Sequence, residues 1–246
     1  FLNQEILSRD KIGQPIVLSL DQNIQFIVRE TLKDSIGIFS AKGASSILLD
    51  AQTGKILSMI SLPDFNPNNR KDLVNQKNLF NKNTKGLYEL GSIFKTFVIA
   101  NALEKKIVTR DKVYTNLPSQ VMCGKFPIKE YKYSKDKKNL SVNDILVESS
   151  NIGIIRIIQD SGLNSYRKFL EDLEIFNYSE IELPEVSYST KKRWGKCNTL
   201  TAGYGHGLNT TPLQLTMAFA AIINGGNLLE VSLLENKAVK IKSKVI

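Results

Sequence analysis

The sequence predicts an α+β fold, an antiparallel sheet packed with helices. Two apolar runs joined by a short turn read as paired strands. One helix is apolar almost all round and must be buried. Further downstream lie helices with clear start and stop signals.

Taken in order, residues 15–20 (PIVLSL) read as a short strand. Asp21 then caps a helix in which Ile24, Ile27, Val28 and Leu32 share a face. Residues 44–50 (ASSILLD) and 55–61 (KILSMIS), joined by Ala51-Gln52-Thr53-Gly54, form a β-hairpin with a four-residue loop. The polar stretch from Asn66 to Gly86 is a surface loop. Residues 92–106 (SIFKTFVIANALEKK) have no polar face after the first turn and belong inside a large core. A Lys- and Tyr-rich loop spans 118–140. Ser141 opens a short helix with the capping-box partner Asp144. Apolar Ile152–Ile158 lies in a second helix, ended by Gly162, and a third runs from Asn164 to Leu173. An irregular region extends to Leu208. The last helix has Thr211 as cap, Pro212 at the first position and Gln214 at the third, and stops at Asn224 before Gly225-Gly226. Three or so strands are few for a core of this size, so part of the sheet is expected to be missing.

The 246 residues suffice for one large domain. With 42% hydrophobic and 23% charged residues, the composition excludes a disordered or fibrous chain. The single His and two scattered cysteines, Cys123 and Cys197, exclude a structural zinc site; the cysteines could pair or stay free. No run approaches the ~18 apolar residues of a membrane span. No signal-peptide pattern opens the chain, and Phe1 is not an initiator, so an anchor or export signal is expected to precede it. The net charge of +9 leaves nucleic acid, an anionic surface or nothing specific as readings. Lys125–Lys138 holds six lysines with Tyr131 and Tyr133, but Glu130 and Asp136 interrupt it and no recognition motif accompanies it. It reads as solvated loop, with no nucleic-acid partner.

The chemistry narrows by elimination. G-x-G-x-x-G, HExxH and G-x-S-x-G are absent, and Ser92 stands where the Gly86-x-x-x-x-Gly91 spacing would need the lysine of a phosphate loop. A Ser-His-Asp triad would need His206, which has no obvious acidic partner in the sequence. Serine activated by lysine remains. A lysine amine becomes a base when burial disfavours its charge, and on a helix Ser at i and Lys at i+3 share a face. That spacing occurs five times: Ser8/Lys11, Ser92/Lys95, Ser134/Lys137, Ser165/Lys168 and Ser189/Lys192. Only Ser92/Lys95 opens the buried helix, beside Phe94, Phe97 and Val98, where the helix N-terminus also favours developing negative charge. The alternative is a capping serine with a snorkelling lysine. Ser149-Ser150-Asn151, lodged between two apolar runs, holds either caps or site residues.

These segments occur in the order of a known family. Tyr88-Glu-Leu-Gly-Ser92-Ile-Phe-Lys95, Ser149-Ser-Asn151-Ile-Gly153, Gly203-Tyr-Gly-His-Gly207 with Thr211-Pro-Leu-Gln-Leu215, and the hairpin from Asp50 to Asp64 resemble the transpeptidase domain of class B penicillin-binding proteins, nearer the division-type (FtsI-like) branch. The resemblance covers nearly all of residues 1–246 and implies the serine transpeptidase/β-lactamase-like fold. It implies D,D-transpeptidation, with Ser92 as nucleophile, Lys95 as base, Ser149 passing a proton to the leaving group, and Asn151 holding the substrate amide and orienting Lys95. Peptidoglycan stem peptides and β-lactams are the implied partners, along with divisome membrane proteins. No cofactor or metal is implied. The implied location is the periplasmic side of the inner membrane, through an N-terminal anchor. The family's Lys-Thr/Ser-Gly strand is not found. Lys242-Ser243-Lys244 comes nearest and lacks the glycine. The chain alone is therefore expected to be weakly active or inactive. A scaffold remnant of the family and a β-lactamase or β-lactam sensor are the competing readings.

Overall fold

The computed structural model describes residues 15–69, 78–131, 138–189 and 194–246. Helix α1 (Gln22–Phe39) starts where expected, with the Asp21 carboxylate accepting from Asn23 N at 2.8 Å and Ile24 N at 2.9 Å. It lies on the hairpin of β1 (Ala44–Leu49) and β2 (Ile56–Leu62), and Gln25 ties it down through Met59 N (3.0 Å) and Met59 O (3.1 Å). Ile24, Val28 and Leu32 are half-buried there, whereas Ile27 faces solvent, so the buried face is narrower than the sequence suggests. In β2 burial alternates, with Ile56, Ser58, Ile60 and Leu62 turned inward. The turn is held by Asp50 Oδ1, which accepts from Gln52 N and Thr53 N.

The strand expected at 15–20 is reduced to one bridge, Leu18 with Leu234. Ser19 N donates to Leu233 O and Glu235 N to Val17 O, but Ile16, Val17 and Leu18 stay exposed, so the segment runs along an edge without a full ladder.

The main core lies among the helices. A 3₁₀ turn (Gly91–Phe94) leads into α2 (Lys95–Glu104), which packs on α4 (Asn151–Ser161) and α5 (Leu163–Asp172); Phe97 and Val98 share one buried core with Ile152, Ile155, Ile158, Tyr166 and Leu170. The short α3 (Val142–Val147) has the full Ser141/Asp144 capping box. Helix α7 (Pro212–Ile223) has the expected Thr211 cap with Gln214 completing the box, and packs on β1.

Two regions read as irregular contain regular elements. Within 118–140, β4 (Gln120–Cys123) and β5 (Phe126–Lys129) form a hairpin around Gly124, which has φ +61°. Before Leu208, Lys196–Ala202 is a helix, α6. A Cys123–Cys197 disulfide joins β4 to α6 across 74 residues of sequence. Two small antiparallel pairs complete the described elements: β3 (Val113–Tyr114) with β6 (Leu140–Ser141), and β7 (Asn227–Leu229) with β8 (Ile241–Lys244).

Candidate active site

Four separate stretches of chain build the site. The first is the approach to Ser92. Tyr88 and Thr210 exchange both backbone hydrogen bonds, at 3.0 and 3.1 Å, and the Glu89 carboxylate accepts from Gly207 N at 3.1 Å. The Gly203–Gly207 run is thereby laid against the segment leading to the serine. A Cβ on Gly205 would fall 2.2 Å from Gly91 O and 2.6 Å from Gly91 N, so only glycine fits at this crossing. Gly91 itself, at φ +68°, turns the chain into the 3₁₀ turn that carries Ser92.

Lys95 follows three residues later, at the first position of α2, and is 1% exposed. Its amine turns towards the second stretch, the turn between α3 and α4. Lys95 Nζ donates to Ser149 Oγ at 2.8 Å and to Ser149 O at 2.5 Å. Ser149 presents both oxygens because it sits in the left-handed region, φ +55°, an unusual conformation for a residue with a side chain. Burial pulls the Lys95 amine down to about 8, and the charge of Glu130 opposes part of that fall. Ser92, Lys95, Ser149 and Asn151 line one cleft of about 520 Å³, with Tyr131 and Tyr204 on its walls. Ser92 is exposed, and among the described residues its hydroxyl has no protein hydrogen-bond partner.

The four residues singled out from sequence are thus brought together. The expected link from Asn151 to Lys95 is not what holds the amine, however. The Asn151 amide donates instead to Lys129 O at 3.1 Å, and Ser149 takes the amine. Sequence reading missed Glu130, treated there only as an interruption of a lysine-rich loop. Its carboxylate accepts from Ser150 Oγ at 2.5 Å, Asn151 N at 2.9 Å and Ile152 N at 2.8 Å, covering the start of α4. The contact spans 20 residues or more of sequence, so no local pattern signals it.

The rival serine–lysine pairs do not form such a site. Ser165 Oγ accepts from Lys105 Nζ at 2.7 Å, while Lys168 pairs with Asp172 at 2.8 Å in solvent. Ser8/Lys11 and Ser134/Lys137 lie outside the described residues, as does Lys192 of the Ser189 pair. His206 does have an acidic partner, Glu89, at 3.1 Å, but the pair is solvent-exposed. Lys242-Ser243-Lys244 falls on β8, paired to β7, and does not line the cleft. The lysine-rich stretch is only partly visible, since 132–137 lie outside the described residues. Among the described residues no cluster could hold a metal ion.

Residues 44–246 match the family model described as the penicillin binding protein transpeptidase domain, and the chain belongs to that family. Among curated relatives it is 30% identical, over 94% of its length, to the peptidoglycan D,D-transpeptidase FtsI of Buchnera aphidicola subsp. Baizongia pistaciae. It is likewise 30% identical, over 95% of its length, to the probable peptidoglycan D,D-transpeptidase PenA of Neisseria flavescens. The chain spans 40% and 58% of these two relatives. The transpeptidase domain of Burkholderia pseudomallei penicillin-binding protein 3, in its apo structure, shares the fold. It has a TM-score of 0.80 at 23% identity, covering 95% of this chain and 66% of that one.

Proposed function

We propose that the chain is the acylating core of a peptidoglycan D,D-transpeptidase of septal cell-wall synthesis, working through an acyl-enzyme on Ser92. The observation that carries this reading is the buried Lys95 amine, poised near 8 in the cleft that Ser92 lines and bonded to Ser149 at 2.8 Å. Neutral Lys95 takes the Ser92 proton as Oγ attacks the penultimate D-Ala carbonyl of a stem peptide. The backbone N–H of Ser92 stabilises the oxyanion. Collapse breaks the amide bond. The proton passes from Lys95 through the Ser149 hydroxyl to the departing D-Ala amine, leaving an ester on Ser92. An amine of a second strand then attacks that ester and regenerates Ser92. A β-lactam enters the same way, but its leaving amine stays tethered after ring opening and the ester persists.

The names of the FtsI and PenA relatives support the reaction, and the resemblance of Tyr88–Lys95 and Ser149–Gly153 to the division-type branch supports the division role. A disulfide between Cys123 and Cys197 supports an oxidising, extracytoplasmic location. Membrane proteins of the division apparatus are the corresponding partners, and the periplasmic face of the inner membrane the corresponding site. Among the described residues no helix is long and apolar enough to cross a membrane.

The test is mass analysis after incubation with a penicillin. A covalent adduct on the peptide containing Ser92, abolished by Ser92→Ala, is expected, formed slowly because the sequence holds no Lys-Thr/Ser-Gly motif. An adduct confined to another residue, or none after prolonged incubation, overturns the reading.

A further inference from the structure

Ser149, which meets the Lys95 amine, and Asn151, which lines the same cleft, belong to a turn that cannot hold itself. Ser149 sits at φ +55°, a conformation a residue with a Cβ adopts at a cost. Ser150 caps α4 through Gly153 N at 2.8 Å, which leaves Asn151 N and Ile152 N in need of acceptors. Glu130 supplies both, at 2.9 and 2.8 Å, and also accepts from the Ser150 hydroxyl at 2.5 Å. One carboxylate thus engages three consecutive residues immediately after Ser149. Charge-assisted bonds of this kind are about twice as strong as neutral ones.

Glu130 is itself held. It follows β5 directly, and its N–H donates to Ser119 O at 3.0 Å. The preceding residue, Lys129, gives its carbonyl to the Asn151 amide, and the following one, Tyr131, lines the cleft. The hairpin that carries all three is tied to α6 by the disulfide.

We propose that Glu130 is a positioning residue of the acylation site: its carboxylate fixes the Ser149–Asn151 turn in the geometry that presents both oxygens of Ser149 to the Lys95 amine. This rests on the acyl-transfer reading above, and it deepens that reading by adding a residue that acts through Ser149 rather than on substrate. A second consequence concerns charge. The negative carboxylate favours protonated Lys95, so removing it should move the titration of the amine to lower pH. The other titratable groups around the cleft are Glu148, Tyr131 and Tyr204, which the substitution leaves in place.

The variants are Glu130→Gln, which keeps size and removes charge, and Glu130→Asp, which keeps charge and withdraws it by one methylene. The readout is the second-order rate of acylation by a fluorescent penicillin across pH. A displaced catalytic group can cost about a hundredfold, so Glu130→Gln should lose roughly 10- to 100-fold. Its rising pH limb should also move down, and Glu130→Asp should fall between Gln and wild type. A Gln variant within twofold of wild type overturns the proposal. So does a rate loss with an unmoved limb, which would mark a merely structural role. If the Gln variant does not fold, the Asp variant decides: a reduced rate supports the proposal and an undiminished one overturns it. If wild type itself gives no adduct on Ser92, the acyl-transfer reading has failed instead. The pH midpoint of Lys95 reductive methylation, read by mass in wild type and Glu130→Gln, then still tests Glu130. A lower midpoint in the variant supports its hold on Lys95, and an equal or higher one refutes it.

Discussion

Replacing Lys95 by Met should abolish acylation and at the same time make the protein more stable, by an amount that fades as pH rises. Lys95 is 1% exposed, and burial brings its amine from 10.5 down to about 8. A shift of that size corresponds to about 3 kcal/mol by which the folded state disfavours the cation near neutral pH. Methionine has a similar length and no charge, so it removes that penalty. The Ser149 oxygens lose their partner, but Ser149 is only half-buried and water can replace the amine. A net gain of about 1–3 kcal/mol results, comparable to other replacements of buried charges. For a chain of this size that is roughly 3–10 °C in Tm. The pH dependence supplies the discriminating part. Between pH 8 and 10.5 the unfolded wild-type chain binds more protons at this position than the folded one, so wild-type stability rises with pH through that window. The advantage of the Met variant must shrink over the same interval, and comparing the two proteins cancels the lysines they share. Thermal melts at pH 7, 8, 9 and 10 measure it. A Met variant less stable than wild type at pH 7, or an advantage that stays constant to pH 10, would show that Lys95 is not held as a disfavoured buried cation.

Four further outcomes follow from the same geometry. Penicillin acylation should rise roughly tenfold between pH 7 and 9, because an amine at about 8 is neutral in about one molecule in ten at pH 7 against about one in 3,000 for an ordinary lysine; stopped-flow rates with a midpoint near 10 would contradict this. Ser149→Ala removes the 2.8 Å hydroxyl partner of Lys95 but not the carbonyl, so acylation should fall by about a hundredfold while reversible penicillin binding changes little; an acylation rate kept within a few-fold in quench-flow would count against a proton-relay role. Gly205→Ala drives a methyl into the Gly91 backbone at a position of φ +77° and should cost about 1–3 kcal/mol with a large loss of Ser92 labelling, checked by denaturant titration and gel fluorescence. Reducing the Cys123–Cys197 bond, or Cys123→Ser, releases a 74-residue constraint and should cost up to about 4 kcal/mol, visible as a Tm lowered by roughly 10 °C in scanning calorimetry.

What the sequence discloses and what it hides divide along the range of the interactions. The Thr211-Pro212-Gln214 start of α7, the Ser141/Asp144 box of α3, the Asp21 cap of α1 and the stop at Gly162 are each settled within four residues, and each stands where its pattern places it. The β4–β5 hairpin escapes because the buried positions, Cys123 and Ile128, are too few to show alternation among lysines and a proline; Gly124 is the one local trace of its turn. Helix α6 escapes because its seven residues, KCNTLTA, are polar at the start and bury only Thr199, Leu200 and Ala202. The bridge at Leu18 is misread as a strand because an apolar run looks the same whether its partner is a full strand or three residues of loop. In the site, Ser92 and Lys95 are legible because their spacing and the apolar run after them lie in one continuous stretch, although Ser92 falls in the 3₁₀ turn and only Lys95 on α2. Glu130 is not, because its value depends on a turn 20 residues away.

The chemistry proposed for Ser92 asks for two opposed conditions at one amine. Lys95 must be dry enough to lose its proton near neutral pH, yet close enough to acceptors to hand that proton on. The core supplies the first condition: Lys95 is 1% exposed, and its near neighbours in sequence Phe94, Phe97 and Val98 are 0–1% exposed. Left to that environment alone, the amine would have no polar partner and its proton no exit. The Ser149 turn supplies the second condition with two oxygens within 2.8 Å, one of them a hydroxyl that can both accept and donate. These oxygens stabilise the cation, as does the Glu130 charge, so each improvement in the proton's exit works against the dryness that makes the base. Burial pulling the amine down and the Glu130 charge holding part of it up bring it to about 8. It leaves a usable neutral fraction at pH 7 while keeping the protonated form accessible once the Ser92 proton has been taken. A site tuned only for burial would bind a neutral amine with nowhere to send its proton, and one tuned only for hydrogen bonding would keep Lys95 charged and Ser92 inert.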